Sequence, residues 1–261
     1  MLRAAVGMVN RTGLTVSLDH ISFEEVIRDA DVSRSAAYRR WPYKDLFLSD
    51  LLKELAAATT PAAVAQETTM AVIAAAARER ADWLDTPERR RALGVELIRQ
   101  GAIHDFDVLY RSTEWRTYLA LHATFLSLTS GRLRTEIQAA LSGAEQGFAE
   151  RIAAAWEQVC TVLGYRVRPE TGATFETLAR LVAGHARGLI VMALATPELA
   201  TRRTTADAFG TGVAAEWSLS AMAAVSMAVA LLEPDPLVEW TPERQARVRG
   251  AILKAKWAVG G

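Results

Sequence analysis

The chain is short of the residues that build several common kinds of site. Cys160 is the only cysteine among 261 residues, which excludes an internal disulfide framework and a multi-cysteine zinc site. Neither sign of charge is in excess, because 30 Lys and Arg stand against 30 Asp and Glu. No global field therefore draws the chain to nucleic acid, to an anionic membrane or to acidic partners. With only 8 prolines and 16 glycines, and abundant alanine, the composition favours helix over an all-β or low-complexity chain. No Gly-rich phosphate loop and no nucleophile elbow occurs. The four histidines, His20, His104, His122 and His185, form no i, i+4 pair and no compact motif with Asp, Glu or Cys. No metal, no cofactor and no enzymatic activity are expected.

Long hydrophobic runs are also missing. The most apolar windows, Leu189–Ala195 and Ala221–Leu232, fall short of the ~20 residues that span a bilayer. Met1 to Thr12 carries Arg3, Asn10 and Arg11 and does not read as a signal peptide. Buried helices, no membrane partner and a cytoplasmic location are the expectation.

What is present is a 51% hydrophobic chain with 23% charged residues, enough for a sizeable core. Helix starts are marked by Thr-Pro pairs at Thr60-Pro61, Thr86-Pro87, Thr196-Pro197 and Thr241-Pro242. Thr accepts from the free amides of a first turn, and Pro loses nothing where no N–H is needed. The expected class is all-α. Short helices are predicted at Leu2–Thr12, Ser22–Ala30 and Arg34–Trp41. Longer ones are predicted at Lys44–Ala58, Ala62–Leu84, Glu88–Gln100, Val108–Thr129, Leu133–Leu163, Phe175–Ala195, Val213–Leu232 and Glu243–Ala258. Tyr165-Arg166-Val167 is the best strand candidate and is too short to count. Composition shifts near residues 56–61, which predicts one domain over 1–58 and a second over 59–261.

The segment from Ser22 to Lys44 carries the most information. Ser22 and Glu25 have capping-box spacing. Val26, Ile27 and Ala30 give an apolar face, and Asp31 tolerates the left-handed backbone of a sharp reversal. Ser33 caps a second helix, and Pro42 ends it. Two short helices joined by such a turn predict a helix-turn-helix. From Arg34 through Lys44 there are four basic residues and no acidic one. Arginine can pair with guanine edges, while Tyr and Lys suit phosphate oxygens.

The run from Ile21 to Leu46 resembles the DNA-binding domain of the TetR family. Tyr38, Trp41, Pro42 and Lys44 stand where the family has Tyr, a large aromatic, Pro and Lys, although Asp31 stands where glycine is usual. The resemblance implies an N-terminal three-helix helix-turn-helix domain plus a C-terminal helical bundle for ligand binding and dimerisation. It implies a transcriptional regulator, mostly a repressor, that binds an inverted-repeat operator in double-stranded DNA as a homodimer. A small-molecule effector would release it. Arg34, Ser35, Tyr38, Arg39 and Arg40 match recognition-helix positions. Ser22 matches the helix-start contact, and Lys44 the phosphate-binding lysine.

Two further sets of residues follow from pattern. The stretch Glu96–Phe125 is rich in aromatic and polar side chains, and Arg99, His104, Tyr110, Trp115, Tyr118, His122 and Phe125 are its candidate ligand-binding residues. The helices Phe175–Ala195 and Val213–Leu232 are apolar on nearly every face. Leu178, Leu181, Val182, His185, Leu189, Met192 and Trp217 are the expected dimer interface, and Gly184 to Leu189 resembles the family's dimer helix. Cys160, between Val159 and Val162, reads as a small buried apolar residue. The alternative reading is a helical ligand-binding or adaptor protein without DNA binding. It rests on the neutral N-terminal segment, where residues 1–58 hold eight basic and eight acidic side chains.

Overall fold

The computed structural model describes residues 1–12, 21–58 and 62–254. The described residues are mostly helical. The described α-helices are α1 (Leu2–Thr12), α2 (Phe23–Asp29), α3 (Arg34–Arg40), α4 (Lys44–Ala58), α5 (Ala62–Glu79), α6 (Pro87–Arg111), α7 (Thr113–Ser127), α8 (Arg132–Leu163), α9 (Phe175–Ala195), α10 (Glu198–Thr201), α11 (Leu219–Leu231) and α12 (Pro242–Leu253). Four three-residue strands join them: β1 (Tyr165–Val167), β2 (Thr204–Ala206), β3 (Ala215–Trp217) and β4 (Leu232–Pro234).

The Thr-Pro signals serve unequally. Thr86 accepts from the Arg89 amide at the start of α6, and Thr241 from the Arg244 amide at the start of α12. Thr196 instead ends α9, and Pro197 leads into α10 without a side-chain cap. Thr60-Pro61, His20 and the residues after Leu253's turn at Lys254 lie outside the described set.

Other boundaries moved for identifiable reasons. A break was expected after Gln100, yet α6 runs on to Arg111. Gly101 is a packing position there, since a Cβ on it would meet Ile73 Cδ1 at 2.9 Å. The true break is at Ser112, whose hydroxyl accepts from the Trp115 amide at 3.1 Å. Tyr165–Val167 is a real strand, because β4 supplies an antiparallel partner in the register Arg166↔Glu233. The Arg166 guanidinium meets Glu233 at 2.8 Å across that pair. Val213–Leu232 is not one helix, since β2 and β3 form a hairpin and α11 begins only after the Ser218 cap.

Two compact units divide the chain: residues 1–61 with 111–148, and 62–110 with 149–261. This differs from a linear boundary at residue 58. Leu121, Ile137 and Leu141 pack into the same core as Phe47 and Leu51, and composition along the chain cannot show that. In this first unit α1 packs against α4 and α7. Its small helices are held by a run of rings: Phe23 lies 5.3 Å from Tyr38 and 4.9 Å from Phe47, and Trp41 lies 5.3 Å from Phe47. The Trp41 indole also donates to Asp50 at 3.0 Å.

The second unit pairs α9 with α11 and sets α12 against α5. Its apolar clusters include Leu93, Leu97, Val248 and Ile252 in one place and Val95, Trp217, Ala221 and Val225 in another. Cys160 is buried with Leu178, Ala228 and Leu232, and burial pushes its thiol up to about 12. It therefore behaves as the apolar residue its flanks suggested.

Between α2 and α3 the chain reverses at Asp31, the one non-glycine residue with positive φ among those described, at 50°. The Asp31 amide donates to Arg28 O and the Val32 amide to Ile27 O, closing the paired bonds of a Schellman turn. Asp31→Ala should cost about 1 kcal/mol, because alanine lacks the local side-chain bonding that eases this backbone. Asp31→Gly should be neutral or stabilising. Urea unfolding curves of both variants check the pair, and equal stability of wild type and Asp31→Ala would contradict the assignment.

Candidate nucleic-acid interface and apolar cavities

α2 and α3 are each seven residues long. Ser22 Oγ accepts from the Glu25 amide at 3.3 Å, and Ser33 Oγ from the Ala36 amide at 3.2 Å. The reciprocal half of the Ser22–Glu25 box is not made, and the Glu25 carboxylate lies 4.0 Å from Arg28 instead. Ala37 is the buried residue of α3. At 100° per residue this turns Ser35 and Arg39 directly outward, with Tyr38 and then Arg34 following on one flank, about 100° and 60° from Ala37. All four are exposed. Arg40 lies off that face, and its guanidinium sits 5.6 Å from the Trp41 ring. Lys44 opens α4 and is exposed.

Tyr38 is held in place. Its hydroxyl donates to Glu24 Oε1 at 3.0 Å, which raises the phenol above its usual range. The Glu24 carboxylate is lowered by its own backbone amide first and by Tyr38 second, with Arg34 and Lys44 adding positive field. Glu24 is a residue that motif reading missed. It places one negative charge beside the basic face.

The expected ligand residues divide between the two compact units. Arg99, His104 and Tyr110 belong to the second compact unit, and Trp115, Tyr118, His122 and Phe125 to the first. Arg99 is structural: its Nε and Nη2 bind Glu96 at 2.7 and 2.8 Å, and Nη1 donates to Glu216 O at 2.7 Å. Burial would raise Glu96, but hydrogen bonds from Arg99 and Gln100 and the charges of Arg99 and Arg80 outweigh it and hold the carboxyl low. His104 is part-buried, and Tyr110 stacks on Phe106 with centroids 5.9 Å apart. Trp115 and Tyr118 are buried and stacked on each other at 4.9 Å, and Tyr118 meets His122 edge-on at 4.5 Å. His122 Nε2 lies 3.5 Å from Glu145, and Phe125 carries the Arg134 guanidinium 4.4 Å from its centroid. None of the seven lines either described cavity.

Both of those cavities lie in the second unit. The first, about 130 Å3, is lined by Met70, Ile73, Leu97, Ile98, Ala102, Ile152, Ala155, Trp156, Val159, Val182 and Ala224, with Gly101, Thr69 and Asp105. Leu97 to Asp105 lie in the stretch that sequence reading had singled out, but the lining residues are its apolar ones. The second cavity, about 150 Å3, shares Ile98, Trp156 and Val159 with the first and has Arg91, Arg168, Cys160 and Tyr165 in its wall. The Arg91 guanidinium already donates to Phe209 O at 2.8 Å, and Arg168 lies 3.7 Å from Glu170 and from Glu233.

The expected dimer residues also separate. Leu178, Leu189 and Trp217 are buried inside the chain, with the Trp217 indole donating to Ala206 O at 2.9 Å. Val182 and His185 are part-buried, and desolvation lowers the His185 imidazole. Leu181 and Met192 are exposed, together with Val191. α9 is thus not buried on all sides, as its composition had suggested. One face packs through Leu178, Ala186, Leu189 and Ile190, and the opposite face is open. Gly184 and Gly188 on that open face have nothing within 4 Å of where a Cβ would sit. By length and composition α9 is also long and apolar enough to cross a bilayer, which the shorter windows considered in the sequence had not shown.

Comparison of the chain with protein-family models finds no match. Comparisons with curated proteins and with solved structures find none either.

Asp105 yields a stability prediction. Desolvation raises its carboxyl from 3.8 to about 6, with only the Thr69 hydroxyl opposing, and it is the one titratable residue of the first cavity's lining. An acid raised on folding binds more protons in the native state, so its contribution falls as pH rises from about 4 to 6. Above that range the ionised group costs about 3 kcal/mol. Asp105→Asn should therefore be more stable than wild type at pH 7.5, with the gain shrinking near pH 4. Denaturant melts at both values test this, and a pH-independent difference would contradict it.

Proposed function

We propose that the chain is a sequence-specific DNA-binding transcriptional regulator of the TetR type. In this reading a homodimer engages an inverted-repeat operator, as a repressor, and a small molecule releases it. The observation that carries the proposal is the α2–α3 unit. Its capped helices, Schellman turn and ring-packed underside present Arg34, Ser35, Tyr38 and Arg39 on one exposed face, with Lys44 at the head of the next helix. A helix-turn-helix lays such a second helix in the major groove and uses flanking lysines on phosphate.

The open α9 face supports association with a second copy. Leu181, Val191 and Met192 form an exposed apolar strip, and Gly184 and Gly188 leave room for close helix approach. The alternative, a helical ligand-binding or adaptor protein, draws on two observations. Charge is balanced over residues 1–58, and the Tyr38 hydroxyl is already engaged by Glu24.

Selection of bound DNA fragments at defined salt separates the readings, because an enriched inverted repeat is expected only from the first. Within that test, Arg34→Ala should cost about 1–3 kcal/mol at one operator position. Lys44→Ala should weaken all sequences alike and flatten the salt dependence. Equal losses on every sequence from Arg34→Ala would remove its base-reading role.

For assembly, Met192→Glu should give a folded monomer, since residue 192 is 58% exposed. Leu189→Glu should instead unfold the chain, since Leu189 is only 6% exposed and a charge there is left unpaired. Sedimentation and circular dichroism on both variants decide this. A wild-type monomer at micromolar concentration would remove the dimer and, with it, palindromic recognition.

A further inference from the structure

Asp105 is a part-buried carboxylate set in an apolar wall, where an ion is poorly solvated. It sits on α6 in the wall of the first cavity, among Met70, Ile73, Ile98, Ile152 and Trp156. Its Oδ1 accepts from Thr69 Oγ1 at 3.5 Å, a long contact. Among the described residues no Lys, Arg or His forms an ion pair with it, and no positive charge contributes to its titration. Nine residues earlier on the same helix, Glu96 is saturated by Arg80, Arg99 and Gln100. The chain can supply cations to a carboxylate on α6 and leaves Asp105 without one.

We infer that this cavity binds a small apolar molecule carrying one ammonium group, with the ammonium on Asp105 and the apolar body against the Met70–Trp156 wall. The size fits a single ring or a short branched chain, because a cavity of about 150 Å3 is known to hold benzene and this one is about 130 Å3. The charge sets the sign of the ligand. A neutral guest would leave the carboxylate unpaired, and an anion would repel it. A cation replaces the lost hydration of the carboxylate by a charge-assisted hydrogen bond. This assigns a cation as the effector. It rests on the effector half of the proposed regulator and needs no DNA to be tested.

The experiment is calorimetric titration of the full chain, without DNA, with benzylamine, toluene and benzoate at pH 7.5. Benzylamine should bind at least ~10-fold more tightly than toluene, and benzoate should bind weakest, since an added ion pair of about 1.4 kcal/mol is worth that factor. Asp105→Asn should lower benzylamine affinity by a similar factor and leave toluene unchanged. Ala155→Phe, which fills the cavity, should abolish both. Benzoate or toluene matching benzylamine on the wild-type chain would overturn the inference without recourse to any variant. So would benzylamine binding that ignores Asp105→Asn, or no binding of any of the three probes. A chain that selects no operator but binds benzylamine through Asp105 would fail the DNA reading alone. The reverse result would fail only this inference.

Discussion

A helix of seven residues does not hold itself together in water, where ~12–15 are needed even for good helix formers. α2 and α3 are both that short, and the rest of the first unit is arranged around this constraint. The hydroxyls of Ser22 and Ser33 take amides that the helices cannot satisfy internally. Asp31 adopts the left-handed backbone that lets the chain reverse. The Phe23, Tyr38, Trp41 and Phe47 rings then provide burial that neither helix could find alone. Because one side of α3 is committed to that packing through Ala37, its other side is free to carry arginine into solvent.

The second unit shows how differently one helix can treat two carboxylates. Glu96 and Asp105 both lie on α6. Burial works against the ionised form of each. Three neighbours reverse the balance for Glu96 and hold it low, whereas Thr69 alone cannot do so for Asp105, which rises to about 6. A fold tolerates an uncompensated charge where something else is served, which makes the imbalance informative. α9 presents a related asymmetry in apolar surface. Its inner face packs on α11, and its outer face keeps Leu181, Val191 and Met192 exposed.

The sequence by itself determined the local features, because they depend on residues within about one turn of each other. The Ser22 and Ser33 caps, the reversal at Asp31, the starts of α6 and α12 at Thr86 and Thr241, and the helical class all lie within that reach. The buried character of Cys160 followed from its immediate flanks. Only the tertiary structure decided what stands opposite each face. It kept α6 helical through Gly101, where Ile73 needed the space, and made a strand of Tyr165–Val167 once Leu232–Pro234 was beside it. It also placed residues 111–148 in one unit with the first 61, turned Leu189 inward and Met192 outward, and put Asp105 rather than His122 in a cavity wall. Periodicity tells which residues share a face of a helix. It carries no information on whether that face meets an apolar neighbour, a cation, an empty space or water, because those partners come from distant parts of the chain.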